Sequence, residues 1–276
     1  MYSIKNLIKT AMEEDIGSGD ITTDNIIAPD MTGSGEIIAK ESLVIAGLDI
    51  ARLVFEELDP GIIFSPEFAD GNQVEKGMKV LSVKGKLRAL LKGERIALNF
   101  LQRISGIATN VRSYVNALKG SPVRLVDTRK TAPGWRILEK YAVRKGGAYN
   151  HRMGLYDGVL IKDNHIAVSG SIANAVEMVR KNISHFIKIE VEAADMEQVQ
   201  QALDAGADII MLDNMDIPQV TAAVKLINKR AVVEVSGNVT IERLSELAQT
   251  GVDIISSGAL THSARSVDLS MRIIAV

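Results

Sequence analysis

From about residue 122 onward, short β-branched runs recur at intervals of roughly 20 to 35 residues, and that rhythm leaves few folds open. The runs are Val123–Thr128, Gly158–Lys162, Phe186–Glu192, Asp208–Asp213, Val232–Ser236 and Asp253–Ser256. Helix-like segments fill the later gaps: Ser171–Asn182, Met196–Ala205, Ile217–Asn228 and Ile241–Gln249. Strands separated by helices cannot pair as hairpins, so they must lie parallel with the helices packed against them. Ala205-Gly206-Ala207-Asp208 and Thr250-Gly251-Val252-Asp253 repeat one helix-to-strand junction, with a glycine free to take the left-handed cap. Thr240 has N-cap chemistry for the helix beginning at Ile241. The second half is therefore a parallel α/β array.

The first 110 residues follow another pattern. Ile37–Ala46 and Ile62–Phe68 read as strands, Ile50–Leu58 as a helix, and Glu94–Gly106 as a long helix leading into the array. The turn-rich stretch from Gly71 to Val80 resembles the sandwich of small carrier domains, and is taken as scaffold rather than as a carrier with a modifiable lysine. The N-terminal segment Met1–Gly17 looks like an amphipathic helix without the layout of a signal peptide. No apolar run is long enough to span a membrane. Cysteine is absent, which excludes disulfides, thiolate nucleophiles and Cys-bound metals and fits a reducing cytoplasm. A formal net charge of −2 argues against an extended nucleic-acid footprint.

All six runs end in polar functional groups: Asp127-Thr128-Arg129-Lys130, Lys162-Asp163-Asn164-His165, Glu190-Val191-Glu192, Asp213-Asn214, Ser236-Gly237-Asn238 and Ser256-Ser257-Gly258. In α/β barrels the site lies at that face, built from strand ends and the loops after them. Lys188, Glu190 and Glu192 alternate within an apolar strand and so share one face, where charge is costly unless it is paired or ligand-bound. Between Arg129 and Lys162 stand eight basic residues (Arg129, Lys130, Arg136, Lys140, Arg144, Lys145, Arg152, Lys162) against Glu139 and Asp157, with His151 just before Arg152. A local cationic basin in a near-neutral chain suits a small ligand with several negative charges. The glycine turns at Ser236-Gly237-Asn238 and Ser257-Gly258, after the last two strands and before helix starts, have the makings of a phosphate cradle. Glu192 and Asp213 are hard-oxygen candidates for Mg²⁺, or alternatively partners for the basic residues. The histidines show no zinc-ligand spacing.

The motifs DTRKTAPGWR, GGAYNHR, VLIKDNH, KIEVE, MLDN, the SGN turn and SGALTHS, in this order, closely resemble the quinolinate phosphoribosyltransferase family, as do EEDIGSGDITT and GERIALNFLQRISGIAT before them. The resemblance covers essentially the whole chain. It implies an α/β fold, an incomplete (open) α/β barrel over 111–265 with an N-terminal α/β sandwich domain over 1–110 that the segment 266–276 joins. It implies transfer of the phosphoribosyl group of PRPP to quinolinate with decarboxylation, Mg²⁺ as cofactor, and a homodimer with shared sites or a higher assembly. Arg129, His151 and Arg152 would meet the quinolinate carboxylates, joined by Arg95 from the neighbouring subunit. Lys130 and Lys162 would face PRPP and its pyrophosphate, Glu192 and Asp213 the Mg²⁺ and ribose hydroxyls. Ser236, Gly237, Asn238, Gly258 and His262 would surround a phosphate. Trp135 departs from the expected Phe or Leu after the Pro-Gly turn, a change of packing only.

Three rivals stand beside this expectation. A related phosphoribosyltransferase of the molybdenum-transport-associated type would not need Arg129, His151 and Arg152 at acceptor positions. A Schiff-base lyase would use Lys162 or Lys188 with a lowered pKa in a desolvated pocket. An anion sensor would have no use for Glu192 and Asp213 in its pocket.

Overall fold

The structure, a computed structural model, describes residues 4–274. Met1–Ser3, the start of the expected N-terminal helix, and the last two residues of the segment 266–276 lie outside the described residues. The chain divides into two compact units. The first runs through Arg112 and takes in Ala132–Gly147 and the chain from Ala264 onward; the second comprises Ser113–Thr131 and Ala148–Ser263.

The first unit is built on a four-stranded antiparallel sheet in the order Leu269–Ile274, Thr32–Ala39, Lys79–Lys86, Ile63–Pro66. Thr32–Ala39 buries every second residue, as a strand with one covered face must. The helix Leu48–Leu58 turns Leu48, Ala51, Val54 and Phe55 inward at helical spacing. Gly47 at its N-cap carries no side chain, and the Asp70 carboxylate accepts the Gly47 and Leu48 amides at 2.8 and 3.2 Å instead. The long helix is Leu87–Ala117, which extends the expected Glu94–Gly106 at both ends. Both expected boundaries were placed beside glycines, and neither glycine is a terminator. A Cβ at Gly93 would lie 2.8 Å from the Phe55 ring, and one at Gly106 would collide with the Arg265 carbonyl. They are close-approach positions inside a continuous helix.

In the second unit six short parallel strands form one sheet: β1 (Arg124–Val126), β2 (Val159–Ile161), β3 (Ile189–Ala193), β4 (Ile209–Asp213), β5 (Val232–Ser236) and β6 (Ile254–Ser256). The spatial order is β1-β6-β5-β4-β3-β2. From β2 to β6 each strand neighbours its successor, and β6 closes back onto β1, the cyclic order of a barrel, while β1 and β2 are left unjoined. The gap is partly dressed by Tyr149, which forms a parallel bridge to Val126. This is an incomplete α/β barrel. The expected strand at Phe186 begins only at Ile189; Phe186 is 85% exposed, and Lys188, placed on the interior face from its alternation, is exposed ahead of the strand. Thr240 does cap the helix Ile241–Gln249 in position, but without a side-chain cap bond, its hydroxyl serving Glu242 instead.

Candidate active site

At the C-terminal ends of the barrel strands lies a cavity of about 970 Å³. Every candidate site residue lines it except Arg95, which is exposed on the long helix of the first unit. The cationic basin is smaller than its sequence extent. Arg136, Lys140, Arg144 and Lys145 sit on the helix Arg136–Gly146 of the first unit, and only Arg129, Lys130, Arg152 and Lys162 reach the cavity. The reason is the helical period: the stretch Arg136–Gly146 packs Leu138, Glu139, Lys140, Ala142 and Val143 inward. Trp135, just before it, stacks on Phe100 at 5.0 Å, which makes its role one of packing.

β1 delivers Asp127 and then Thr128, Arg129 and Lys130. Asp127 is fully buried and accepts the His151 amide at 2.9 Å and Asn150 Nδ2 at 2.7 Å. It thereby fastens the His151-Arg152 segment across the open side of the barrel. The Lys130 carbonyl accepts the Thr261 hydroxyl at 2.7 Å, and the same hydroxyl reaches the Gly258 carbonyl at 3.1 Å. A Cβ at Gly258 would lie 2.7 Å from Lys130 Cδ and 3.0 Å from His262 Cδ2, so a side chain here would displace the lysine where it crosses this turn.

Arg152 donates from Nη1 to the Gly158 carbonyl at 2.9 Å. Burial, and then the neighbouring Arg129 charge, push its pKa below the usual guanidinium value. Two guanidinium groups held this close in a walled space favour an anionic partner. His151 stands behind Arg152, with Nε2 at 3.1 Å from Glu190 Oε2 and 3.6 Å from Glu234 Oε2. Burial first, and Glu190 second, raise the Glu234 pKa to about 7. The three ligand atoms lie within 4.8 Å of one another, a spacing that a cation or a hydrogen-bond chain could account for.

Lys162 follows β2 and meets Glu192 Oε2 at 3.1 Å, with 42% of its side chain exposed. A lysine paired with a carboxylate and open to water is the reverse of the desolvated amine that a Schiff base requires. Lys188, the other candidate for that role, is outside the cavity lining. Glu192 on β3 is in register with Met211 on β4, so Asp213, two residues further, falls on the same inward face. Asp213 Oδ2 accepts Asn214 Nδ2 at 3.0 Å. Each carboxylate keeps its other oxygen for a ligand or ion, and oxygen donors of this kind fit Mg²⁺, which completes its shell with phosphates and water.

Two residues without glycine's freedom adopt left-handed backbone here, Asn214 (φ 55°) and Asn238 (φ 49°), with Gly237 (φ 91°) between their side chains. Asn238 Nδ2 donates to Asn214 Oδ1 at 3.1 Å, and a Cβ at Gly237 would collide with that same oxygen. The turn after β5 is thus latched to the turn after β4. Sequence reading gave no individual role to Asp127, Asn214, Thr261 or Glu234. Of these, Glu234 carried the clearest signal, a charge in the middle of the apolar run Val232–Ser236.

Residues 107–272 match the family Quinolinate phosphoribosyl transferase, C-terminal domain, and residues 20–105 match its N-terminal domain. The chain is 47% identical over 266 residues to a probable carboxylating nicotinate-nucleotide pyrophosphorylase of Synechocystis, covering 95% of this chain and 90% of that protein. A probable enzyme of the same name from Bacillus subtilis is 45% identical over 97% of this chain and 92% of its own length. Among solved structures, NadC from Streptococcus pyogenes superposes with a TM-score of 0.95 at 41% identity, covering 99% of this chain and 97% of that one.

Proposed function

This chain belongs to the quinolinate phosphoribosyltransferase family, and from that membership we propose how its barrel cavity carries out the family's reaction. The activity is transfer of the phosphoribosyl group of PRPP to quinolinate with decarboxylation, giving nicotinate mononucleotide, pyrophosphate and CO₂ in de novo NAD biosynthesis. The observation that carries the assignment of the cavity is its charge pattern. Arg129, Arg152, Lys130 and Lys162 share one lining with Glu192 and Asp213. Quinolinate brings two carboxylates and PRPP several phosphate charges. A site for both needs cations; of these two acids Glu192 is paired with Lys162, and the carboxylate oxygens left over suit a metal or ribose hydroxyls.

Arg129 and Arg152 offer planar forks that match carboxylates, whereas Lys130 and Lys162 present compact charge to phosphate oxygens. Asn238, the Gly237 turn, Ser236, Gly258 and His262 surround the phosphate end. Glu192 and Asp213 would hold Mg²⁺. When bound, that ion supplies charge to stabilise the departing pyrophosphate. Displacement at the ribose carbon has oxocarbenium character, and fixed lysines stabilise the negative charge that develops on the leaving group. The pyridine nitrogen becomes positive as it is alkylated, so the ring holds the electron pair left behind by CO₂. The substrate is its own electron sink, which explains why a thiol is not needed in a chain without cysteine.

Arg95, exposed on the first unit, would complete the acceptor site of a neighbouring subunit in a homodimer or a higher assembly. Mixing Arg95→Ala subunits with subunits disabled at Lys130 should then restore part of the activity, and no recovery in verified mixed dimers refutes the shared site. Among the described residues no helix is long and apolar enough to cross a membrane. The absence of cysteine supports a cytoplasmic location. The primary test is product formation from quinolinate and PRPP with and without Mg²⁺. Coupled, Mg²⁺-dependent release of nicotinate mononucleotide and CO₂ is expected; turnover of another heteroaromatic acid in place of quinolinate would overturn the acceptor.

A further inference from the structure

At the floor of the cavity the barrel interior holds two acids that the reaction as derived does not use, and one of them, Glu234, lines the cavity itself. Glu190 on β3 and Glu234 on β5 are 3% and 1% exposed, and each has a buried Oε1 without a hydrogen-bond partner. Acids below an anion-binding site oppose the substrate, and a pair kept only for packing would be replaced by apolar side chains at no loss. Their remaining oxygens converge on one group, His151 Nε2, at 3.1 and 3.6 Å.

The other face of the imidazole decides which way its proton points. The Arg152 backbone N–H, which can only donate, reaches His151 Nδ1 at 2.8 Å. Nδ1 is therefore the acceptor, and the ring N–H sits on Nε2, directed at the carboxyl pair. The His151 amide is meanwhile fixed on Asp127. Both ring nitrogens are thus engaged within the protein, and the residue that the imidazole steadies is Arg152. We propose that Glu190 and Glu234 are positioning residues: acting through the His151 imidazole, they hold the backbone turn from which the Arg152 guanidinium meets a carboxylate of the acceptor. This rests on the reading of the cavity as the quinolinate site, and it gives His151, which lines that cavity, the further role of link between the acid pair and Arg152.

The experiment has one arm that needs no substrate and one that does. In full-length protein labelled with ¹⁵N-histidine, with His151 assigned by His151→Asn, the wild type is expected to show a single tautomer protonated at Nε2. Glu190→Leu with Glu234→Leu should abolish that preference, and Glu234→Gln, which still offers an acceptor oxygen, should keep it. Should the double variant not fold, Glu190→Leu alone serves the same comparison. A tautomer protonated at Nδ1 in the wild type, or one unmoved by either leucine variant, overturns the proposal. So does direct loss of the Nε2 proton on adding equimolar Zn²⁺, which would assign the three groups to a metal.

In kinetics the leucine variants should raise KM for quinolinate about tenfold while KM for PRPP and kcat stay within about threefold, with Glu234→Gln restoring the wild-type value. In a His151→Ala background the same substitutions should add nothing further. An additive loss, or an equal loss on both substrates, overturns the proposal. Failure of the wild type to turn over quinolinate would strike the functional reading alone, because the tautomer is read without substrate.

Discussion

In the first unit Glu139 is wholly buried, yet Arg103 Nη2 meets one oxygen at 3.0 Å and the Ala132 amide meets the other at 3.4 Å. In the second unit Glu190 and Glu234 are buried as deeply and each leaves an oxygen unmet. The first acid has its charge and both oxygens answered locally, so it belongs to the scaffold. The second pair is incomplete as scaffold and makes sense only as part of the site above it. A buried charge by itself says little about function; what its oxygens lack says more.

The contrast can be broken at several points. The largest effect is expected for Arg152→Ala, which should lower kcat/KM for quinolinate by about 2 to 4 kcal/mol, roughly 30- to 1000-fold. A loss seen only in PRPP kinetics would remove Arg152 from the acceptor site. Glu139→Ala should instead act on folding, lowering unfolding stability by about 3 kcal/mol by taking the carboxylate from the partly buried Arg103 guanidinium, which keeps its bond to the Ala264 carbonyl. If chemical denaturation shows less than about 1 kcal/mol, the salt bridge is not the structural element described.

Third, Glu234 should leave a signature in stability against pH. Its pKa is raised from 4.5 to about 7, so folding takes up a proton across that interval. The stability it contributes is complete below pH 4.5 and is lost as the pH rises through about 7. Unfolding free energies measured from pH 4.5 to 8 should therefore fall by an amount on the order of 2 kcal/mol, and Glu234→Gln should flatten that slope. An identical slope in the variant would place the carboxyl in an ordinary environment. The smallest effect compares two left-handed glycines. A Cβ at Gly77 (φ 89°) in the first unit would meet nothing within 4 Å, so Gly77→Ala should cost about 1 kcal/mol of backbone strain and no activity. Gly237→Ala, with a similar φ of 91°, drives a methyl into Asn214 and should also raise KM for PRPP. Equal kinetics in the two variants would dissolve the latch between the β4 and β5 turns.

Much of the second unit was legible because its signals are local. Val232–Ser236 and Ile241–Gln249 have the boundaries that their patterns give. The strand-end rule gathered Lys130, Lys162, Glu192 and Asp213 into one lining because parallel strands bring their C-terminal ends together. The first unit hid more. Lys79–Lys86 goes unread apart from its first two residues, which fall in the turn-rich stretch Gly71–Val80; Lys79, Lys84 and Lys86 mask its apolar residues, although it pairs on both sides in the sheet. The helix Arg136–Gly146 made the basin look twice as charged as it is, since sequence proximity to Arg129 says nothing about which unit a helix packs in. His151 and Arg152 stand out by residue type, but their place depends on the bridge at Tyr149 and on the Asp127 carboxylate, contacts too short to leave a periodic trace.

The sheet of the first unit also has a temporal side. Leu269–Ile274 pairs with Thr32–Ala39 over most of its length, and Leu269 and Met271 are buried there. During synthesis that edge of Thr32–Ala39 has no partner until the entire barrel has emerged from the ribosome. From β2 to β6 the barrel strands are neighbours in sequence and can assemble as they appear, with β1 joining at β6, whereas the sheet of the earlier-made unit must wait still longer with an unpaired edge exposed. A nascent chain stalled after the barrel would therefore carry a finished cavity together with an adhesive sheet, a natural point for chaperone capture.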